Sequence, residues 1–220
     1  MTASGAWQVT AGGLRERVVA TLRNTQPGLD PEFPYTTSFT AEQITRLRQS
    51  LPEPLAQAAV LVPLIERPAG LQVLLTVRAS HLKNHAGQVS FPGGRIEASD
   101  AGPWAAALRE AREEIGLEPG FVSPAGYLRD HLVISGFRVT PAVGFVQPGF
   151  TLQLDTTEVE DVFEVPLEFV VDPVNHVPRE RHFAGLTLQT WDIPYQGRHI
   201  WGATASMLIA LSRLLRDSPP

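Results

Sequence analysis

Residues 91–117 read Phe91-Pro92-Gly93-Gly94-Arg95-Ile96-Glu97-Ala98-Ser99-Asp100-Ala101-Gly102-Pro103-Trp104-Ala105-Ala106-Ala107-Leu108-Arg109-Glu110-Ala111-Arg112-Glu113-Glu114-Ile115-Gly116-Leu117. The stretch divides into a turn, a loop and a helix. Pro-Gly is turn chemistry, and Gly93-Gly94 permits close backbone approach to a ligand. Residues 104–115 read as a helix, and Gly116 stands where a C-terminal glycine cap belongs. At about 100° per residue, Glu110, Glu113 and Glu114 share an arc of roughly 100°. Trp104, Leu108, Ala111 and Ile115 project to another side, which should face the core. Carboxylates at these spacings are neighbours and repel one another. Either they form a solvated acidic face, with Arg109 and Glu113 as an ordinary pair, or they hold divalent cations. Mg²⁺ takes oxygen ligands, commonly one or two carboxylates plus substrate phosphates. The turn in front of the helix favours the second reading, because a glycine carbonyl there supplies one more oxygen.

Outward from this helix, the chain alternates irregularly between strand and helix patterns. Upstream, residues 58–65 and 71–77 are apolar runs joined by Pro68-Ala69-Gly70, which predicts a hairpin. Residues 88–91 form a short strand that stops at Pro92. Downstream, residues 126–134 and 138–146 should pair around Ser135-Gly136. Residues 162–165 and 186–193 are further strands, and residues 203–215 a final amphipathic helix. Two helical patterns open the chain: Leu14, Val18 and Leu22, then Ile44, Leu47 and Leu51 behind a Thr40/Gln43 capping box. A Pro-rich connector at 27–34 separates them, and Pro52 and Pro54 end the second. The predicted class is α+β rather than a doubly wound sheet. Residues 1–55 are expected to be a helical extension packed on a main domain at 56–216.

Composition narrows the chemistry. The 220 residues suffice for one domain, with 43% hydrophobic and 19% charged residues. With no cysteine, disulfides, thiolate metal sites and cysteine nucleophiles are excluded. That fits a cytoplasmic protein, as does a start without a signal-peptide pattern. No stretch approaches the ~20 apolar residues of a membrane span. A net charge of −5 argues against nucleic acid as partner. A phosphate ligand would need metal ions or a local basic cluster.

These residues resemble the Nudix box, Gly-x5-Glu-x7-Arg-Glu-U-x-Glu-Glu-x-Gly-U, with U apolar. The second half fits, with Ala111 a small U. In the first half Asp100 stands where the pattern has Glu, and eight residues rather than seven precede Arg109. A second pattern overlaps it. Leu74-Leu75-Thr76-Val77-Arg78-Ala79-Ser80-His81-Leu82-Lys83-Asn84-His85-Ala86-Gly87-Gln88-Val89-Ser90-Phe91-Pro92-Gly93-Gly94 is similar to the signature of the coenzyme A pyrophosphatases in that superfamily, with Lys83 where Arg is usual. Lysine keeps the charge and loses the bidentate fork. Ile200-Trp201-Gly202-Ala203-Thr204-Ala205 also looks like that subfamily.

The resemblance implies a Nudix fold, a mixed β-sheet sandwiched between α-helices. It implies Mg²⁺- or Mn²⁺-dependent hydrolysis of the diphosphate of coenzyme A to 3′,5′-ADP and 4′-phosphopantetheine. By position, Glu110, Glu113 and Glu114 are the metal ligands, with the Gly94 carbonyl, and Arg109 orients the glutamates. The general base is Glu110, or Glu158 or Glu160 from a later acidic turn. Arg78, Lys83 and Arg95, beside Gly93, are candidates for holding substrate phosphates, and Lys83 for reading the 3′-phosphate. His81 and His85 are read as polar loop histidines, Asp130 and His131 as an edge pair, and Trp191 and Trp201 as core. Two alternatives stay open: a Nudix hydrolase for ADP-ribose or a dinucleotide, and a non-catalytic Nudix-fold binding module. The expected assembly is a monomer or homodimer.

Overall fold

The computed structural model describes residues 11–28, 31, 40–183 and 185–217. Residues 1–10, most of the 27–34 connector and the Ser218-Pro219-Pro220 end lie outside them.

The centre of the fold is the long strand β1 (Ala56–Arg67). It runs parallel to β7 (Phe137–Val146) along ten register pairs, from Ala56↔Phe137 to Ile65↔Val146. It also turns back antiparallel into β2 (Gly70–Arg78), so the expected hairpin is present. The short strands β3 (Val89–Ser90) and β4 (Gly93–Arg95) pair with β2 and β1. β5 (Val122–Tyr127) and β6 (His131–Val133) both pair with β7. β8 (Val159–Pro166) closes the eight-stranded mixed sheet against β2. The single strand expected over 126–134 is thus two, interrupted at Leu128-Arg129-Asp130.

β1 is apolar from Ala58 to Ile65 because both its faces are covered there. Ala59, Leu61 and Ile65 face α3 (Pro103–Ile115) and pack with Ala106, Ala107, Ala111 and Ile115. The alternate residues Ala58, Val62 and Leu64 face the other layer. That layer holds α1 (Ala11–Leu22), α4 (Leu167–Val171) and α5 (Gly202–Asp217). Small alanines on α3 let it lie close to the sheet, which answers why the apolar position of the glutamate motif is Ala111. The class is therefore α+β, a mixed sheet between helices.

α1 is more than an appendage. Leu14, Val18 and Leu22 are at most 1% exposed and share one core with the sheet and α5. Each such side chain contributes about 1.5–3 kcal/mol by burial. α2 (Ala41–Gln49) carries the Thr40/Gln43 capping box. It packs Leu47 in a satellite cluster with Leu132 and Leu188. It stops at Ser50, before the two prolines.

A second, antiparallel sheet is built from β9 (Val177–Phe183), β10 (Leu186–Tyr195) and β11 (Arg198–Ile200). β9 was not foreseen, because Val177-Pro178-Arg179-Glu180-Arg181-His182 is too charged to show a strand pattern. Among the described residues no helix is long and apolar enough to cross a membrane.

Candidate active site

α3 presents its three glutamates in three different environments. Ala111 and Ile115 pin the helix to the sheet, so Glu114 is drawn into the protein and is 5% exposed. Its carboxylate accepts a hydrogen bond from the Gly93 N–H at 3.1 Å. Burial pushes its pKa up to about 8, opposed by that bond and by the charge of Arg78, and reinforced by Glu110 and Glu158. Glu110 is partly buried, and burial raises its pKa as well; Arg109 opposes this while Glu113 and Glu158 add to it. Glu113 is exposed. Gly116 closes the helix in the left-handed conformation, φ 68°.

The Gly-Gly turn is a steric requirement of this packing. A Cβ on Gly94 would stand 2.5 Å from the Glu110 Cδ. A Cβ on Gly93 would stand 2.6 Å from the Val60 Cα on β1. The turn and the central strand can therefore approach only with glycine at 93, whereas a side chain at 94 would displace the Glu110 carboxylate.

Arg109 is the hub that orders these acids. Its Nε and Nη2 grip the two oxygens of Asp100, each at 3.0 Å. Its Nη1 donates to Glu110 at 2.9 Å and to Glu113 at 3.0 Å, and Nη2 also donates to the Arg95 carbonyl at 3.0 Å. Asp100 accepts the Glu97 N–H too. The Arg109 fork and that N–H hold the Asp100 carboxyl below its usual range, and the same fork raises the Arg109 pKa. Asp100 departs from the sequence pattern, yet it anchors the arginine that orients Glu110 and Glu113.

Of the other anticipated residues, Arg78 and Glu158 join the glutamates electrostatically, since both act on Glu114. The Arg78 Nε is buried without a hydrogen-bond partner. Glu160 is directed elsewhere: its carboxylate accepts the Ser80 N–H at 3.0 Å. The Arg95 guanidinium lies over Phe137, 5.2 Å from the ring centre. Lys83 is exposed on the loop between β2 and β3. His85 bonds Gln88, and His81 reaches the Thr157 carbonyl at 3.1 Å. Asp130 and His131 do not form an edge pair; Asp130 is buried and accepts from Arg138 at 2.6 Å and Thr140 at 2.8 Å. Trp191 packs against the main core. Trp201 carries the Arg181 guanidinium over its ring and borders a cavity of about 450 Å³ with Val77, Gly87, Val89, Arg198 and His199.

The donor set suits a hard divalent cation: three carboxylates and a glycine carbonyl, all oxygen. Two of those acids have pKa values raised by burial and by neighbouring carboxylates, a tension that bound positive charge relieves. Among the described residues, no three ligand side chains already converge on one point. Arg109 holds Glu110 and Glu113, so a cation would compete with its guanidinium for both.

Comparison with known proteins bears on this arrangement. The NUDIX domain model matches residues 55–184. The uncharacterized Nudix hydrolase NudL of Salmonella paratyphi B is 42% identical over 164 residues, covering 74% of this chain and 84% of that protein. The NudL of Salmonella newport matches to the same extent. Among solved structures, the Nudix hydrolase RenU of M. smegmatis superposes with a TM-score of 0.51 at 19% identity, over 75% of this chain and 88% of that one.

Proposed function

This chain belongs to the NUDIX domain family, and from that premise we propose that it is a metal-dependent pyrophosphohydrolase that cleaves the diphosphate of coenzyme A. Membership supports hydrolysis of a pyrophosphate-containing small molecule and dependence on a divalent metal. Coenzyme A is the finer proposal. The observation that carries it is the joining of two sequence patterns in one place: Gly93 and Arg78, from the segment similar to the coenzyme A pyrophosphatase signature, both act on Glu114 of the glutamate helix.

In this proposal Glu110, Glu113, Glu114 and the Gly94 carbonyl hold Mg²⁺ or Mn²⁺. When bound, such ions stabilise charge on the attacking and leaving oxygens of an in-line displacement. Arg109, fixed by Asp100, keeps Glu110 and Glu113 oriented. Arg78, whose charge acts on Glu114, is proposed to receive a substrate phosphate. Lys83 on the adjacent loop is proposed to read the 3′-phosphate. Glu158 serves as general base. It is exposed on the turn before β8, its charge reaches Glu110 and Glu114, and Glu160 is engaged by Ser80. Water gives a proton to Glu158 and its oxygen bonds to one phosphorus. The bridging P–O bond breaks, giving 3′,5′-ADP and 4′-phosphopantetheine. A cytoplasmic monomer or homodimer that does not bind nucleic acid completes the proposal.

The test is product analysis with Mg²⁺ or Mn²⁺ across coenzyme A, ADP-ribose and a dinucleotide. Coenzyme A should be turned over fastest; a preference for ADP-ribose would overturn the substrate assignment. Glu113→Gln should abolish turnover, and binding by wild type without product would mark a binding module instead. Lys83→Ala should narrow the preference for coenzyme A over dephospho-coenzyme A.

A further inference from the structure

Asp155 lies in the exposed run between β7 and β8, and its bonds join separate parts of the site. Its N–H donates to the Glu114 carbonyl at 2.9 Å, and the Gln153 N–H donates to the Ile115 carbonyl at 2.9 Å. These carbonyls belong to the last turn of α3, which the helix cannot satisfy itself. Gly116 allows the approach, since a Cβ there would stand 2.8 Å from the Gln153 nitrogen. In the other direction, the Asp155 Oδ1 accepts the Thr157 N–H at 2.9 Å and the Thr157 hydroxyl at 2.6 Å. Its carbonyl accepts the Glu158 N–H at 3.0 Å and the Val159 N–H at 2.8 Å.

A second tie comes from the loop after β2. The Ala79 N–H donates to the Glu158 carbonyl at 2.8 Å. The Ser80 N–H donates to Glu160, and His81 bonds the Thr157 carbonyl at 3.1 Å. The residues flanking Glu158 are thus held from the glutamate helix on one side and from the loop of the substrate signature on the other. An exposed acidic turn without these bonds would lose entropy each time Glu158 was brought into place; here most of that ordering is done on folding.

We infer that Asp155 is a positioning residue: its Oδ1 holds Thr157 and so fixes the turn that carries Glu158, the turn that its backbone ties to α3. The inference rests on Glu158 acting as general base. The Asp155 side chain is exposed and bonds Thr157, so its contribution acts through the turn. Asp155→Ala should lower kcat about ten- to a hundredfold, the scale of a small misplacement of a reacting group. KM should hardly change, and Asp155→Asn, which keeps the Oδ1 acceptor, should recover most of the rate.

The test is a double-mutant cycle with Glu158→Gln, measured as kcat on the substrate preferred in the panel, with folding checked by melting. If Asp155 works through Glu158, adding Asp155→Ala to Glu158→Gln should cost no further rate. An additive loss in the double variant overturns the positioning role while leaving Glu158 as base. Wild-type kcat in Glu158→Gln overturns the base assignment and this inference with it. If Asp155→Ala does not fold, Thr157→Ala, which removes the hydroxyl bond alone, takes its place in the same cycle under the same criteria.

Discussion

Replacing Glu114 by glutamine should stabilise the metal-free protein at alkaline pH while destroying turnover. The Glu114 carboxyl is 5% exposed and accepts one hydrogen bond, from Gly93. Glutamine keeps the shape and, through its amide oxygen, that acceptor. The native pKa is about 8 against an ordinary value of 4.5. An acid whose pKa rises on folding keeps its proton in the native state while the unfolded chain releases it. Stability is therefore fully kept below pH 4.5 and is lost as the pH climbs to about 8. Between pH 5 and 8.5 the two titration curves separate by about 4 kcal/mol, taking 1.36 kcal/mol per pH unit. At 2–4 °C per kcal/mol for a chain of this size, the melting temperatures should diverge by roughly 8–16 °C. The assay is denaturant unfolding of EDTA-treated wild type and Glu114→Gln across that range, comparing the difference between the two proteins at each pH. The difference should be under about 1 kcal/mol at pH 5 and grow steadily above it. Saturating Mg²⁺ or Mn²⁺ should then stabilise wild type and close part of the gap. A difference that stays flat from pH 5 to 8.5 would refute the claim that burial suppresses ionisation at this position.

Gly94→Ala is compatible with the backbone there, but its Cβ would meet the Glu110 carboxyl at 2.5–2.6 Å. The carboxyl is the end of a flexible side chain, so melting should move little while kcat falls about a hundredfold; an unchanged kcat would show that Glu110 is not needed in this place. Leu22→Ala should cost about 2–5 kcal/mol in urea unfolding, because Leu22 is fully buried in the main core. A loss below about 1 kcal/mol would mean that α1 is a detachable extension.

Much of the fold was legible because its signals are local. The hairpin of β1 and β2 follows from two apolar runs around Pro68-Ala69-Gly70. The limits of α3 follow from its periodicity and from Gly116. β9 escaped because Arg179, Glu180 and Arg181 follow Pro178 in a small peripheral sheet, where burial is too slight to impose a pattern. The break between β5 and β6 escaped because it is decided by Asp130, which leaves the strand to be buried against Arg138 and Thr140. Those partners lie on a neighbouring strand and leave no trace at position 130.

The glutamate site divides along the same line. The sequence alone determined that Glu110, Glu113 and Glu114 share a helix face behind a Gly-Gly turn, since helical spacing fixes angular position whatever surrounds the helix. Tertiary structure decided what distinguishes them: packing on β1 draws Glu114 inward, while Glu113 stays in solvent. It also decided that Asp100 anchors Arg109, that Arg78 comes to Glu114, and that Glu158 is carried to them on a turn tied to the last carbonyls of α3. These residues lie far apart in the chain or in an irregular loop. Only the register of β2 against β8 and the packing of α3 on the sheet settle which of them meet.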